Sequence, residues 1–330
     1  MKSILIVGLG SIGRRHAKIF SKFGHKVFGV DKRQDRLEQA KQELDIEEVS
    51  SDIDHLINNN SIDGAVISTP PHLHTDIGIK LANMGISLFT EKPLASNDVN
   101  LDILSKICEE KGIVFYTAYC YRFIPSAQKL KKLVDNNKIG KIYSARLQIS
   151  SYLPDWHPWE DYRSFYMASK DQGGGALLDE SHGIDLLRWL FGEIENVSAI
   201  VDKVSKLEID SDDLAIMNLK FESGLIGEAH FDLLGRSPRV NLELIGENGT
   251  IIWDRIKPSI SIYDSENKEW LEEKFSSDEM LTCYDNQAQH FIDCLDGKVK
   301  SLTTLDDGRN TLKVLLSAFK SSKTMSTVKV

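Results

Sequence analysis

Ile4-Leu5-Ile6-Val7-Gly8-Leu9-Gly10-Ser11-Ile12-Gly13 is an apolar run that breaks into glycines at G-x-G-x-x-G spacing. The next apolar run, Val27-Phe28-Gly29-Val30, closes on an acid, Asp31. Strand, glycine loop, helix, strand and acid in that order are the fingerprint of a dinucleotide-binding βαβ unit. Gly8 permits the tight turn, Gly10 leaves room for a pyrophosphate to approach the backbone, and Gly13 lets the helix pack closely on the strand. The helix opens at Ser11 and Ile12, so its unpaired N–H groups and positive dipole end face the phosphates.

Asp31 stands where a carboxylate accepts hydrogen bonds from both hydroxyls of an adenosine ribose, which favours NAD. Lys32 and Arg33 follow at once. Either could reach a 2′-phosphate if Asp31 turned aside, so NADP stays possible.

A chain of 330 residues exceeds one compact core of ordinary size, and two domains are expected, 1–119 and 120–330. The net charge of −9 is unlike that of a general binder of nucleic acid or membrane surfaces, because neither polyanion attracts it. The first apolar run breaks at Gly8 with no cleavage site after it, and no stretch approaches the length needed to span a bilayer. The four cysteines, Cys108, Cys120, Cys283 and Cys294, are scattered without C-x-x-C spacing. Reduced thiols in a cytoplasmic protein, with no metal site, are the expectation.

Apolar runs alternate with amphipathic segments through the first part, as a parallel sheet covered by helices requires. The pattern predicts strands near 3–8, 26–31, 64–68, 86–90 and 113–117, a minor strand at 48–50, and helices near 12–23, 33–44, 72–84 and 97–111. This is a doubly wound α/β domain with its ligand crevice at the carboxyl ends of the strands. The second part predicts a helix after Pro125, a long strand near 140–152 and an aromatic loop from Leu153 to Gly173. A single apolar helix at 176–191 follows, then alternating strands from 196 to 263 and helices near 278–296 and 305–322. Turns such as Glu222-Ser223-Gly224 make that second sheet largely antiparallel and open, with a face that a partner subunit could cover.

Three segments fall where chemistry is expected. Ser68-Thr69-Pro70-Pro71-His72-Leu73-His74 follows a strand, and its prolines stiffen a wall for the cofactor, to which Ser68, Thr69, Pro70 and His74 are assigned. Thr90-Glu91-Lys92-Pro93 follows the next strand; Glu91 and Lys92 would border the cofactor. Lys92 would also stabilise charge on a substrate oxygen during hydride transfer. Pro93 would hold the turn in one geometry, a cis peptide bond being one way to do so. In Gly173-Gly174-Gly175-Ala176-Leu177-Leu178-Asp179-Glu180-Ser181-His182, the glycines would let backbone pass close to a ligand. Asp179 and His182, three apart on one helix, would form an oriented base.

These segments in this order resemble the Gfo/Idh/MocA oxidoreductases, the family of glucose-fructose oxidoreductase and inositol dehydrogenase. The matching residues are Gly8, Gly10 and Gly13, Thr69-Pro70 with His74, Glu91-Lys92-Pro93, Arg122-Phe123 before Pro125, Gly173 to Gly175, and His182-Gly183-Ile184-Asp185. Gly246 to Gly249 followed by Ile252-Trp253-Asp254 extends the likeness over nearly the whole chain. The resemblance implies oxidation of a sugar or polyol hydroxyl, or the reverse, by a homodimer or homotetramer. It implies Lys92 as the essential lysine and His182 as proton acceptor. Asp179 departs from the family, whose aspartate stands four rather than three residues before the histidine. Pro71 and Cys120 replace asparagines frequent in the family.

The expected mechanism has Lys92 and His182 bound to one substrate oxygen, with Asp179 supporting the imidazolium. For substrate recognition, Trp156, Trp159 and Tyr166 supply aromatic faces for a sugar ring and Arg163 a cation for a carboxylate or phosphate. Tyr121, Arg122 and Arg239 are further candidates. Two alternatives stay open: a cycle of transient oxidation on a retained nicotinamide, and a non-catalytic dinucleotide sensor.

Overall fold

A computed structural model describes residues 1–156, 158 and 160–330. His157 and Trp159 lie outside the described residues, so the expectation for Trp159 concerns a residue that is not described. The chain divides into two compact units, 1–119 with 284–309, and 120–283 with 310–330.

In the first unit, strands β1 (Ser3–Val7), β2 (Lys26–Val30), β3 (Glu48–Ser50), β4 (Gly64–Ile67), β5 (Ser87–Thr90) and β6 (Phe115–Thr117) form one sheet in the order β3-β2-β1-β4-β5-β6. Every neighbouring pair is parallel. Strands β1 and β4 are buried almost throughout, as strands covered on both faces must be. The covering helices are α1 (Ser11–Lys22), α2 (Gln34–Glu43), α3 (Ile53–Asn59), α4 (His74–Asn83) and α5 (Leu101–Lys111). The order reverses between β1 and β4, and that switch point sets the crevice for a ligand. Two elements differ from expectation. Helix α3, which buries only Leu56 and Ile57, is too short to show a period. Helix α5 starts at Leu101 rather than 97 because Asn100, at φ 62°, takes the left-handed conformation before it.

The return of 284–309 to the first unit departs from the 120–330 division. Phe291 explains it: its ring packs on Phe89 at 5.4 Å and lies where a β-carbon at Gly64 would stand 3.0 Å away. Burying such a ring contributes about 1.5–3 kcal/mol. Thr117 at the sheet edge also donates its N–H to the Thr303 carbonyl at 2.9 Å, which covers an otherwise open strand.

In the second unit, α6 (Pro125–Asp135) precedes β7 (Ile142–Tyr152), α7 (Ala176–Asp179) and α8 (Ser181–Phe191). Then come β8 (Ile194–Asp202), β9 (Leu214–Phe221), β10 (Ile226–Asp232), β11 (Leu234–Gly246), β12 (Gly249–Asp254), β13 (Ser259–Asp264) and β14 (Glu269–Lys274). Helix α9 (Glu279–Leu295) belongs mostly to the first unit, and α10 (Leu305–Thr324), mostly in the second, precedes a short edge strand, β15 (Val328–Lys329). The nine strands run β14-β13-β12-β11-β7-β10-β9-β8-β15, antiparallel except where β7 meets β10. Register aligns Ala199, Met217, Ala229, Leu147, Leu242, Trp253 and Ile260 in one buried row across the sheet. Helix α8 lies on that row closely enough that a β-carbon at Gly183 would stand 2.7 Å from the Phe231 ring. The opposite face carries exposed Tyr143, Ile200, Ile216, Ile226 and Ile245 beside the charged ladder Glu228, Arg146 and Glu243.

The single helix expected at 176–191 is two: a turn at Glu180 separates α7 from α8. Strand β14 went unseen because all of its residues are exposed and no alternation marks it. Among the described residues, no helix is long and apolar enough to cross a membrane.

Candidate functional site

The glycine loop is tight enough to fix each glycine's identity. Gly8 has φ +97°, and a β-carbon there would meet the Ser68 carbonyl oxygen at 2.6 Å. A β-carbon at Gly13 would lie 1.9 Å from the Gly8 carbonyl oxygen. At Gly10 the nearest atom would be 3.7 Å away, at the tip of the Arg36 side chain, so of the three this is the glycine whose face is least crowded. No side-chain hydrogen bond caps α1, which leaves the first-turn N–H groups at Ser11, Ile12 and Gly13 to a ligand or water. Thr69 Oγ1 is buried without a hydrogen-bond partner beside this loop. An open cradle, an uncapped helix and an orphaned hydroxyl fit a dinucleotide.

Asp31 sits at the end of β2, 7% exposed, and accepts the Leu9 N–H at 2.7 Å and the Arg33 N–H at 2.9 Å. The two cations expected to compete for a phosphate point elsewhere. Lys32 donates to the Ser51 carbonyl at 2.9 Å, and the Arg33 guanidinium is engaged by Asp35 at 2.6 Å. The cation that does reach the loop is Arg36, whose Nη1 lies 3.5 Å from Asp31. One clue was in the chain: five residues past Asp31, a helix turning from Gln34 brings that position back over the glycines.

Two other residues assigned to the cofactor brace the protein. The Ser68 hydroxyl donates to the loop's own carbonyls, Gly8 at 2.8 Å and Val7 at 3.1 Å. His74 is buried, with Nε2 at 2.8 Å from the Thr69 carbonyl and Nδ1 at 3.1 Å from that of Pro93. Burial pushes its pKa below the ordinary imidazole value. Pro70 leads the chain into a 3₁₀ turn over Pro71–Leu73. Glu91 is buried, Lys92 is half-buried, and the Lys92–Pro93 bond is cis.

In the second unit His182 opens α8, 9% exposed, with its ring stacked on Tyr121 at 4.6 Å and 9°. Cys120 Sγ lies 4.0 Å from His182 Nε2. Burial raises the Tyr121 phenol well above its usual range. Asp179 ends α7 and accepts a hydrogen bond from the Tyr166 hydroxyl at 2.5 Å. The break at Glu180 means that Asp179 and His182 do not share one continuous helix, contrary to the expectation from their spacing.

The glycine run serves packing within this unit. A β-carbon at Gly174 would meet the Tyr166 carbonyl oxygen at 2.3 Å, and one at Gly175, where φ is +109°, would meet Asp212 at 2.2 Å. Asp212 accepts the Leu177 N–H at 2.9 Å and so seats the start of α7. Burial raises its pKa from 3.8 to about 6. A carboxyl whose folded pKa exceeds its unfolded one contributes stability that is complete below the unfolded pKa and lost as pH rises through the folded one. The loss is about 3 kcal/mol between about pH 4 and pH 7. Asp212→Asn keeps the acceptor oxygen and lacks the titration. Urea unfolding should show the variant gaining on the native protein by that amount over this range, and a pH-independent difference would reject the assignment.

Two of the candidate arginines, Arg122 and Arg163, are engaged. Arg122, 4% exposed, forms a two-point pair with fully buried Asp185, at 3.0 and 2.6 Å, and so acts as an internal strut. Arg163 is held by Asp161 and by Glu208 at 2.9 Å, which raises its pKa, in place of the expected ligand carboxylate. Arg239 is exposed on β11. Trp156 donates its indole N–H to Ser151 at 2.9 Å and, with Tyr121, lines a cavity of about 240 Å³. Glu180 and Arg255 add charge to that cavity, and neither carried a sequence motif. Among the described residues, no group of three or more His, Cys, Asp or Glu could hold a metal ion.

Residues 2–119 match the model of an oxidoreductase family with an NAD-binding Rossmann fold, and residues 127–252 match the GFO/IDH/MocA C-terminal domain. The chain is 28% identical to a myo-inositol 2-dehydrogenase of Thermotoga maritima over 79% of its length and 78% of that protein's. It is also 28% identical to the NAD(+)-dependent scyllo-inositol 2-dehydrogenase of Bacillus subtilis, over 91% of this chain and 88% of that one. A levoglucosan dehydrogenase solved with NADH and levoglucosan has the same fold, with a TM-score of 0.88 over 100% of this chain and 99% of that one, at 22% identity.

Proposed function

Because the chain belongs to the Gfo/Idh/MocA oxidoreductase family, we propose that it is an NAD-dependent dehydrogenase acting on a CH–OH group of a sugar or polyol. The observation that carries the cofactor choice is Asp31, fixed at the crest of an open glycine cradle while Lys32 and Arg33 are engaged elsewhere. NAD, when bound, supplies the hydride acceptor. His182 takes the hydroxyl proton as the carbinol carbon loses hydride, and Lys92 donates a hydrogen bond to the same oxygen as it becomes a carbonyl. Asp179, whose carboxylate Tyr166 holds, is the acid assigned to this base. Tyr121 and Trp156 give the sugar ring aromatic surface.

We further place the protein in the cytoplasm, supported by four buried cysteines that form no disulfide. A second copy of the chain would cover the open sheet face bearing Ile200, Ile216 and Ile226, giving a dimer or tetramer.

A panel of inositols, anhydrosugars, aldoses and sugar acids, each offered with NAD and with NADP, tests this proposal. Reduced nicotinamide should form with at least one, and faster with NAD. Light scattering on the same sample should give a multiple of the chain mass. No reduction, with nicotinamide retained by the purified protein and isotope washout at a substrate carbon, would point to transient oxidation. Neither reduction nor washout would leave only a dinucleotide sensor.

A further inference from the structure

His16 lies on α1, within two turns of the glycine loop, and is completely buried. Its Nε2 stands 2.7 Å from Glu91 Oε1. The other carboxylate oxygen, Oε2, accepts the backbone N–H of Lys92 at 3.1 Å. Glu91 is thus gripped on one side by the helix that receives the pyrophosphate and on the other by the residue that carries the amine. His16 Nδ1 has no hydrogen-bond partner, and the ring is enclosed by Phe89 at 4.9 Å and Tyr284 at 6.4 Å. A proton on Nδ1 would be buried with no acceptor, so the proton belongs on Nε2, which donates to Glu91. Beyond Lys92, His74 lies between the carbonyls of Thr69 and Pro93, and its one ring N–H donates to one of them.

Packing alone does not explain a histidine here. In that aromatic nest phenylalanine would fill the same space and remove a buried polar nitrogen that gains nothing. What histidine adds is one directed hydrogen bond to Glu91. We propose that His16 is a positioning residue of the dehydrogenase: through Glu91 it fixes the Lys92 backbone relative to the cofactor-binding helix, so that the amine is aligned with the bound nicotinamide and the carbinol. The inference rests on the role given to Lys92 above.

The test compares His16→Phe, His16→Gln and Glu91→Gln in the full-length protein, using the polyol or sugar that reduces NAD fastest in the panel. Misplacing a catalytic group by about an ångström costs up to about a hundredfold. His16→Phe should therefore lose about 30–100-fold in kcat with KM and NAD affinity little changed. The deuterium isotope effect from substrate labelled at the carbinol carbon should grow as hydride transfer becomes more limiting. His16→Gln, whose side-chain amide restores a donor, should recover most of the rate. Glu91→Gln, which does not depend on tolerance of the phenylalanine, should lose at least about tenfold in kcat with NAD affinity kept. Near-native kcat in either His16→Phe or Glu91→Gln overturns the proposal, as does a loss that follows NAD affinity. If the unaltered protein reduces NAD with nothing in the panel, the dehydrogenase assignment fails first and this inference with it.

Discussion

Lys92→Met lowers kcat by about 10²–10³-fold, the loss found when one preorganised donor to a developing oxyanion is removed. Methionine matches the length of the lysine side chain and keeps the backbone N–H that Glu91 accepts at 3.1 Å, so the turn after β5 retains its internal bond. NAD affinity should survive, because the glycine cradle, the uncapped α1 terminus and Asp31 are untouched. Steady-state kinetics separates the possible roles. A donor that acts chiefly on the transition state loses kcat and kcat/KM together, whereas a donor that only binds substrate raises KM at constant kcat. Turnover close to native would remove Lys92 from the chemistry and leave it as a half-buried residue of a tight turn.

Much of the first unit was legible because its rules are local. Gly8 needs a positive φ, a β-carbon at Gly13 would lie 1.9 Å from the Gly8 carbonyl oxygen, and Asp31 closes the second strand, all within one βαβ unit. Strands covered on both faces read as apolar runs, and the strands of the open sheet alternate. What escaped was tertiary. Residues 284–309 join the first unit because Phe291 fits over Gly64, a pairing across more than two hundred residues that no period announces. Lys32 and Arg33 looked like phosphate ligands by adjacency, yet Ser51 and Asp35 engage them, and Arg36 takes the place over the loop. His16 sat in plain view on α1, but its meaning depends on Glu91, seventy-five residues away. Arg255 and Glu180 likewise acquire a role only as walls of one cavity.

Asp185→Asn is expected to destabilise the second unit by about 3–5 kcal/mol, because it strands a buried guanidinium. Arg122 is 4% exposed and Asp185 is fully buried, so solvent does little to compensate either charge once its partner is gone. Their two hydrogen bonds, at 3.0 and 2.6 Å, tie the 3₁₀ turn Cys120–Phe123 to α8 and so hold Tyr121 in its stack on His182. Replacing both partners, as in Arg122→Met with Asp185→Leu, removes the desolvation cost along with the attraction and should recover most of the lost stability. Denaturant unfolding of the singles and the double closes the cycle. A single variant that loses under about 1 kcal/mol would mean that the pair is not desolvated. The double variant also decides what Arg122 is for. If the guanidinium serves only as a strut, the stable double variant turns over substrate with altered efficiency but unchanged preference. If it contacts substrate as the sequence suggested, KM rises steeply for every substrate carrying a negative charge while stability is restored.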